Sequence, residues 1–193
     1  MGLFDFFAGS STLYFPGCVL FKKYKEHFEL YQKILMKIGV KFSIFDNYVC
    51  CGIEALEAGY ESEARKLARQ NFEIFKNSEI KEVVTTSPEC YYMFLKKYPE
   101  FLFDWNIGVE NVWNLIAEKL EAKPRLIKKK AFEVVTFHDN CYLGRGCWIF
   151  SAPRQILELL GYQIREMEDF RENSLCCGSC GGLSRANPEL AKK

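Results

Sequence analysis

Cys50-Cys51-Gly52 limits what this chain can become more than any other stretch, because it returns as Cys176-Cys177-Gly178. Vicinal cysteines followed by glycine, twice in 193 residues, imply an internal repeat. Each copy has a satellite upstream, Cys18 before the first and Cys141 before the second. Each satellite follows a β-rich run, Thr12-Leu13-Tyr14-Phe15 in one half and Val134-Val135-Thr136-Phe137 in the other. Cys90, in Ser87-Pro88-Glu89-Cys90, trails the first pair, and the second has no counterpart at that distance before Lys193. Adjacent side chains of an extended segment point to opposite sides. A Cys-Cys step therefore suits a turn in which both sulfurs reach one site, and glycine supplies the backbone freedom that such a turn needs.

Thiolates are soft ligands that select iron–sulfur clusters, zinc or copper(I). Four of them satisfy an ordinary cluster or a structural zinc. The chain has nine cysteines, an odd number, and its first residues lack the basic n-region of a secretory signal. Both points favour metal ligation in a reducing compartment over disulfides. Twenty-six basic residues against 25 acidic ones leave a net charge of +1, which gives no electrostatic reason to expect nucleic acid as a partner. Hydrophobic residues make up 49%, enough for a core that needs no cysteine staples. No apolar run reaches the ~18 residues of a membrane span.

Pattern and punctuation predict strands over 12–15, 40–45 and 82–86, and again over 132–138 and 162–167. Helices are predicted over 21–38, 61–76, 91–97, 109–121 and 153–160, with a last one opened by Asn187-Pro188-Glu189. Every first-half cysteine site then falls just after a strand. In open parallel sheets, ligands gather at the carboxyl ends of strands. The expected fold is α/β, with two pseudo-repeated small parallel-sheet units flanked by helices and the second unit truncated relative to the first. The expected domains are an N-terminal arm over 1–11, a first unit with its connector helix over 12–130, and an incomplete second unit over 131–193. The arm, with Leu3, Phe4 and Phe7 on one helical face, either packs on its own domain or docks on a partner or a membrane surface.

The ordered set YFPGC at 14–18, VCCG at 49–52, TTSPECYYMFLKKYP at 85–99, FHDNCYLGRG at 137–146 and SLCCGSCGG at 174–182 spans nearly the whole chain. It resembles the cysteine-rich CCG domain family. That domain occurs twice in subunits of heterodisulfide reductase. It is also found in the iron–sulfur subunits of glycolate, lactate and anaerobic glycerol-3-phosphate oxidation systems. In the family a lone Cys, the Cys-Cys pair and a later Cys-x-x-Cys ligate a noncubane 4Fe-4S cluster. The resemblance implies a first site of Cys18, Cys50, Cys51 and Cys90, with Ser87 where the family has another cysteine. It implies a second site of Cys141, Cys176 and Cys177, whose closing pair would lie beyond Lys193. Ser87 is either a helix cap or a weak oxygen ligand. Cys180 is extra to the motif, a packing thiol or a replacement ligand, and Cys147 reads as a core residue.

His138 and Asp139, beside Cys141, are the candidate catalytic pair. They would hydrogen-bond a metal-bound sulfur or protonate a leaving thiolate; the alternative is a satisfied polar pair that shapes the turn. Gly144-Arg145-Gly146 presents either an anion-binding arginine or a plain turn. The resemblance implies an iron–sulfur redox subunit that passes electrons between partners. Those partners would be flavin- or ferredoxin-containing subunits of a membrane-associated complex, since no flavin or nicotinamide fingerprint is present. Its expected location is cytoplasmic, peripheral at the inner face of the membrane through those partners. Two other classes remain open. One is a scaffold stabilised by zinc at the first site. The other is a metal-free thiol–disulfide enzyme, which would leave the satellite cysteines unexplained.

Overall fold

A computed structural model describes residues 9–178 and 182–191, so most of the N-terminal arm lies outside the described residues. The chain opens with strand β1, Thr12–Phe15, followed by helices α1, Cys18–Lys23, and α2, Lys25–Lys37. After a long irregular stretch come α3, Ile53–Glu57, α4, Glu61–Asn77, and strand β2, Glu82–Thr85. Helix α5, Pro88–Tyr92, runs through a π segment, Met93–Lys97, into α6, Tyr98–Phe101. Strand β3, Gly108–Asn111, and helix α7, Val112–Ala122, complete the first half. The second half holds β4, Val134–Val135, a π turn at Tyr142–Gly146, α8, Ser151–Leu159, and β5, Gln163–Ile164. Short helices α9, Leu183–Ala186, and α10, Pro188–Ala191, close it.

The α/β expectation holds: a three-stranded parallel sheet of order β1-β2-β3 and a two-stranded parallel sheet β4-β5. The first sheet is buried on both faces, as crossover-linked parallel strands require. Leu13, Phe15 and Val83 face a cluster with Phe72, Phe75, Phe94 and Tyr98. Tyr14 and Val84 face the other way, toward Leu35, Phe42, Val112 and Ile116. Full burial of each such side chain contributes about 1.5–3 kcal/mol. Ile156 of α8 joins the second cluster and α8 packs on α7, which holds the two halves together.

The halves repeat one another in their hydrogen bonds. Ser43 N–H donates to the Thr12 carbonyl at 2.8 Å, and Arg165 N–H donates to the Val135 carbonyl at 2.8 Å. Each bond sets the strand before a satellite cysteine beside the segment leading to a Cys-Cys pair.

Five elements depart from expectation, two of them the strands expected over 132–138 and 162–167, which shrink to Val134–Val135 and Gln163–Ile164. The strand expected over 40–45 shrinks to a single bridge between Ser43 and Leu13. The helix expected over 21–38 is two, broken at Tyr24, whose φ of −126° and ψ of 60° are not helical. The helix expected from Val109 starts at Val112, because residues 108–111 pair with β2 as a strand. Asn111 ends that strand and caps α7, its side chain accepting from Asn114 N–H at 2.9 Å.

Candidate functional site

Three connections leave the carboxyl edge of the first sheet and bring four cysteines together. After β1, Pro16 and Gly17 lead directly into α1, so that Cys18 is its first residue. Gly17 has φ +83°, and a Cβ there would lie 2.7 Å from the Ser87 Cβ. That position needs glycine for its backbone and for the close approach of the next connection. The segment after Ser43 delivers Cys50 and Cys51, and Gly52, in the left-handed region at φ 95°, opens α3. Gly52 N–H points back at the Cys50 sulfur, 3.5 Å away. After β2, Ser87 caps α5 by accepting from Cys90 N–H at 3.2 Å, with Pro88 in the first turn. The cap reading of Ser87 is therefore correct.

The four sulfurs form a chain of contacts. Cys18 bonds Cys50, Cys50 bonds Cys51, and the Cys51 and Cys90 sulfurs are 3.3 Å apart. Cys51 and Cys90 are 2% and 3% exposed; Cys18 and Cys50 are half-buried. Hydrogen bonds from Cys18 and Cys51, and then from Gly52 N–H, lower the Cys50 thiol below its ordinary value. Its bond to Cys50 raises Cys18, and burial adds to this; Cys51 is raised by its bonds to Cys50 and Cys90. The backbone of the pair is fixed from behind. Asn71 donates to the Cys50 carbonyl at 2.9 Å and to the Tyr98 hydroxyl at 3.1 Å, while that hydroxyl donates to the Cys51 carbonyl at 3.2 Å. A cleft of 670 Å³ opens onto Cys18, Cys51 and Cys90, with Tyr24, Glu54 and Glu57 also lining it.

The second cysteine turn has the same geometry in a more open setting. Gly178, at φ 69°, directs its N–H to the Cys176 sulfur at 3.5 Å, as Gly52 does to Cys50. Cys176 lies 3.8 Å from Cys141, sulfur to sulfur. Cys176 and Cys177 are exposed and Cys141 is half-buried. Burial, and then the contact with Cys176, push the Cys141 thiol up to about 11. Cys147 is half-buried and free, and burial pushes it up to about 11 as well. Cys180 lies outside the described residues.

The loop carrying Cys141 grips the segment carrying Cys176. The His138 ring Nε2 bonds the Leu175 carbonyl at 2.8 Å, Arg145 donates to the Ser174 carbonyl, and the Ser174 hydroxyl donates to the Asp139 carbonyl at 3.2 Å. Asp139 is 3% exposed, and both of its oxygens accept from Arg154, each at 2.7 Å. Arg171 N–H adds a third bond at 2.7 Å, and Glu166 takes the remaining face of Arg154. Burial alone would raise the Asp139 carboxyl; the bonds from Arg154 and Arg171 more than offset this and hold it below the usual carboxylate range. His138 and Asp139 thus sit beside the cysteine loop, bonded to the Leu175 carbonyl and to Arg154. Sequence reasoning missed Asn71, Tyr98 and Arg154. A signal existed for Asn71, a polar residue on the buried stripe of α4 between Ala68 and Phe72.

Among the described residues, no three His, Cys, Asp or Glu side chains converge so as to hold a single metal ion. The first site is a line of four soft sulfurs. Such a donor set is of the soft kind that iron–sulfur clusters and zinc both take. Among the described residues, no helix is long and apolar enough to cross a membrane.

Comparison with known proteins agrees with this geometry. The chain is 35% identical over 165 residues to a "Probable iron-sulfur-binding oxidoreductase FadF" of Bacillus subtilis, covering 84% of this chain and 23% of the relative. It is 33% identical over 186 residues to an "EtfAB:quinone oxidoreductase" of Syntrophomonas wolfei, covering 94% of this chain and 26% of the relative. It is 29% identical over 188 residues to a subunit of the dihydromethanophenazine:CoB--CoM heterodisulfide reductase of Methanosarcina barkeri, covering 94% of this chain and 46% of the relative. The chain therefore spans less than half the length of each of these relatives. The model of the CCG cysteine-rich domain matches residues 12–95 and 135–193, one match on each cysteine turn. With the same Cys-Cys-Gly turn in both halves and a family match on each, this chain belongs to the CCG cysteine-rich domain family.

Proposed function

We propose that this chain is the iron–sulfur part of an oxidoreductase, and that its two units, 12–130 and 131–193, each contribute one cysteine site for electron transfer. The observation that carries the reading is the line of four cysteines, Cys18, Cys50, Cys51 and Cys90, gathered at a cleft. Cys18, Cys50, Cys51 and Cys90 would hold a 4Fe-4S cluster, and Cys141, Cys176 and Cys177 would supply ligands to a second site. Bound there, such a cluster accepts and returns single electrons. The residues around it do the rest. Asn71 and Tyr98 fix the Cys-Cys backbone, and burial of Cys51 and Cys90 keeps water from the deep side. His138 and Arg145 hold the Cys176 segment to the Cys141 loop, and Asp139 anchors that loop on Arg154.

The Ser87 hydroxyl already serves as a helix cap and donates to Glu89 at 2.8 Å. The first site therefore offers four thiols, not the five of a noncubane centre. Zinc also takes four thiolates, and metal and sulfide content distinguish it from a cluster. Electrons would come from a flavin- or ferredoxin-bearing partner, and the complex would lie at the inner face of a membrane through its partners. The relatives' names, an "EtfAB:quinone oxidoreductase" and a subunit of a heterodisulfide reductase, support that class of work.

The test is optical. Protein reconstituted anaerobically with iron and sulfide should show broad visible absorption that a low-potential reductant bleaches reversibly. Cys51→Ser should remove the first site's share. A wild-type chain with no such absorption sinks the proposal.

A further inference from the structure

We propose that Glu89 and Asn140 register the two cysteine sites against each other, so that filling one site raises the affinity of the other. This rests on the reading that both sites hold iron–sulfur groups. The α5 helix that carries Cys90 starts at Ser87, whose hydroxyl accepts from Cys90 N–H and donates to Glu89 Oε2 at 2.8 Å. The other oxygen of Glu89 accepts from the Asn140 amide, Nδ2, at 3.5 Å, the long end of the hydrogen-bond range. On its other side, Asn140 Oδ1 accepts from the N–H groups of Tyr142 at 2.9 Å and Leu143 at 3.1 Å. Those bonds fix the turn that follows Cys141. One string of bonds therefore joins the backbone at Cys90 to the backbone at Cys141.

The surfaces around that string leave little slack. The rings of Tyr92 and Tyr142 are in contact, tilted by 57° with centroids 5.3 Å apart. A Cβ on Gly146 would come within 3.0 Å of the Tyr92 ring. A shift of Cys90 to meet a bound group is thus passed to the Cys141 turn. Packed interfaces of this kind move between discrete arrangements and do not deform smoothly. The coupling must also run in the reverse direction, because linkage between binding sites is reciprocal.

The test reverses the polarity of the link. Asn140→Asp keeps the Oδ1 acceptor for Tyr142 and Leu143 but sets carboxylate against carboxylate. Glu89→Gln, with its amide oxygen still bonded to Ser87, sets an amide donor against the Asn140 donor. The double variant, Glu89→Gln with Asn140→Asp, restores a donor–acceptor pair in which the helix-side amide now donates to the loop-side carboxylate. Each protein is reconstituted anaerobically over a range of iron concentrations with sulfide in excess. The titration is repeated in chains lacking one site, through Cys50→Ser with Cys51→Ser or Cys141→Ser with Cys176→Ser.

With the wild-type pair, removing one site should raise the half-saturating iron concentration of the other about 5-fold or more. Each single variant should abolish that difference, and the double variant should restore it. A residue that only supports the fold would weaken loading equally with or without the other site, and the double variant would rescue nothing. Independent loading of the two sites with the wild-type pair, or coupling that survives in both single variants, overturns the coupling alone. A wild-type chain that takes up neither iron nor sulfide overturns the iron–sulfur reading and the coupling with it.

Discussion

The Arg154 guanidinium is the residue on which the second cysteine loop depends most. It donates to both oxygens of Asp139, to Glu166 and to the Phe150 carbonyl, and it lies 5.1 Å from the centre of the Phe137 ring. Breaking a buried pair from one side leaves a charge without a partner and costs about 3–5 kcal/mol. Arg154→Ala should lower the unfolding free energy by that order, measured in urea. The pH dependence has a definite sign. The Asp139 carboxyl is held below its ordinary value in the folded chain. Its contribution is complete above the unfolded value of about 3.9 and is lost as pH falls through the lower folded value. The stability gap between wild type and Asp139→Asn should therefore be constant near neutral pH and close in acid. A gap that widens in acid would contradict the ion-pair account.

At the scale of elements, Cys18 and Cys90 sit where a strand hands over to a helix. Helix α5 has only the residues Pro88–Tyr92 before its π segment, so its cap matters more than in a long helix. Ser87→Ala should cost about 1 kcal/mol in chemical denaturation and speed alkylation of the buried Cys90. Unchanged reactivity of Cys90 would mean that the cap does not hold it. These hand-over points were legible in the sequence. β1 and β2 carry strong patterns, and Cys18 and Cys90 follow them directly. The weaker elements were not legible. Residues 108–111 include Gly, Glu and Asn, none of them a strand former, and they pair only because β2 offers a buried edge. Residues 40–45 carry the right alternation yet form one bridge, since pairing depends on the neighbour as much as on the pattern. The site was legible as a set of cysteines. Its supports were not, because Asn71, Tyr98 and Arg154 act through tertiary contacts far apart in sequence.

At the scale of the molecule, one turn is used twice, buried in the first half and exposed in the second. In both, a glycine N–H meets the first sulfur of the pair at 3.5 Å, and a strand-end cysteine approaches from a neighbouring loop. The two halves join through α7 against α8 and through α5 against the Tyr142–Gly146 turn, so the cysteine loops belong to one packed body. The proposed function requires this body to carry iron and sulfide on its cysteines. The most direct measurement is iron, zinc and acid-labile sulfide per chain after anaerobic reconstitution, for wild type and for Cys50→Ser. Iron and sulfide in equal amounts in the wild type, falling in the Cys50→Ser chain, is the predicted result. A colourless wild type that holds zinc alone, or no metal, would contradict it.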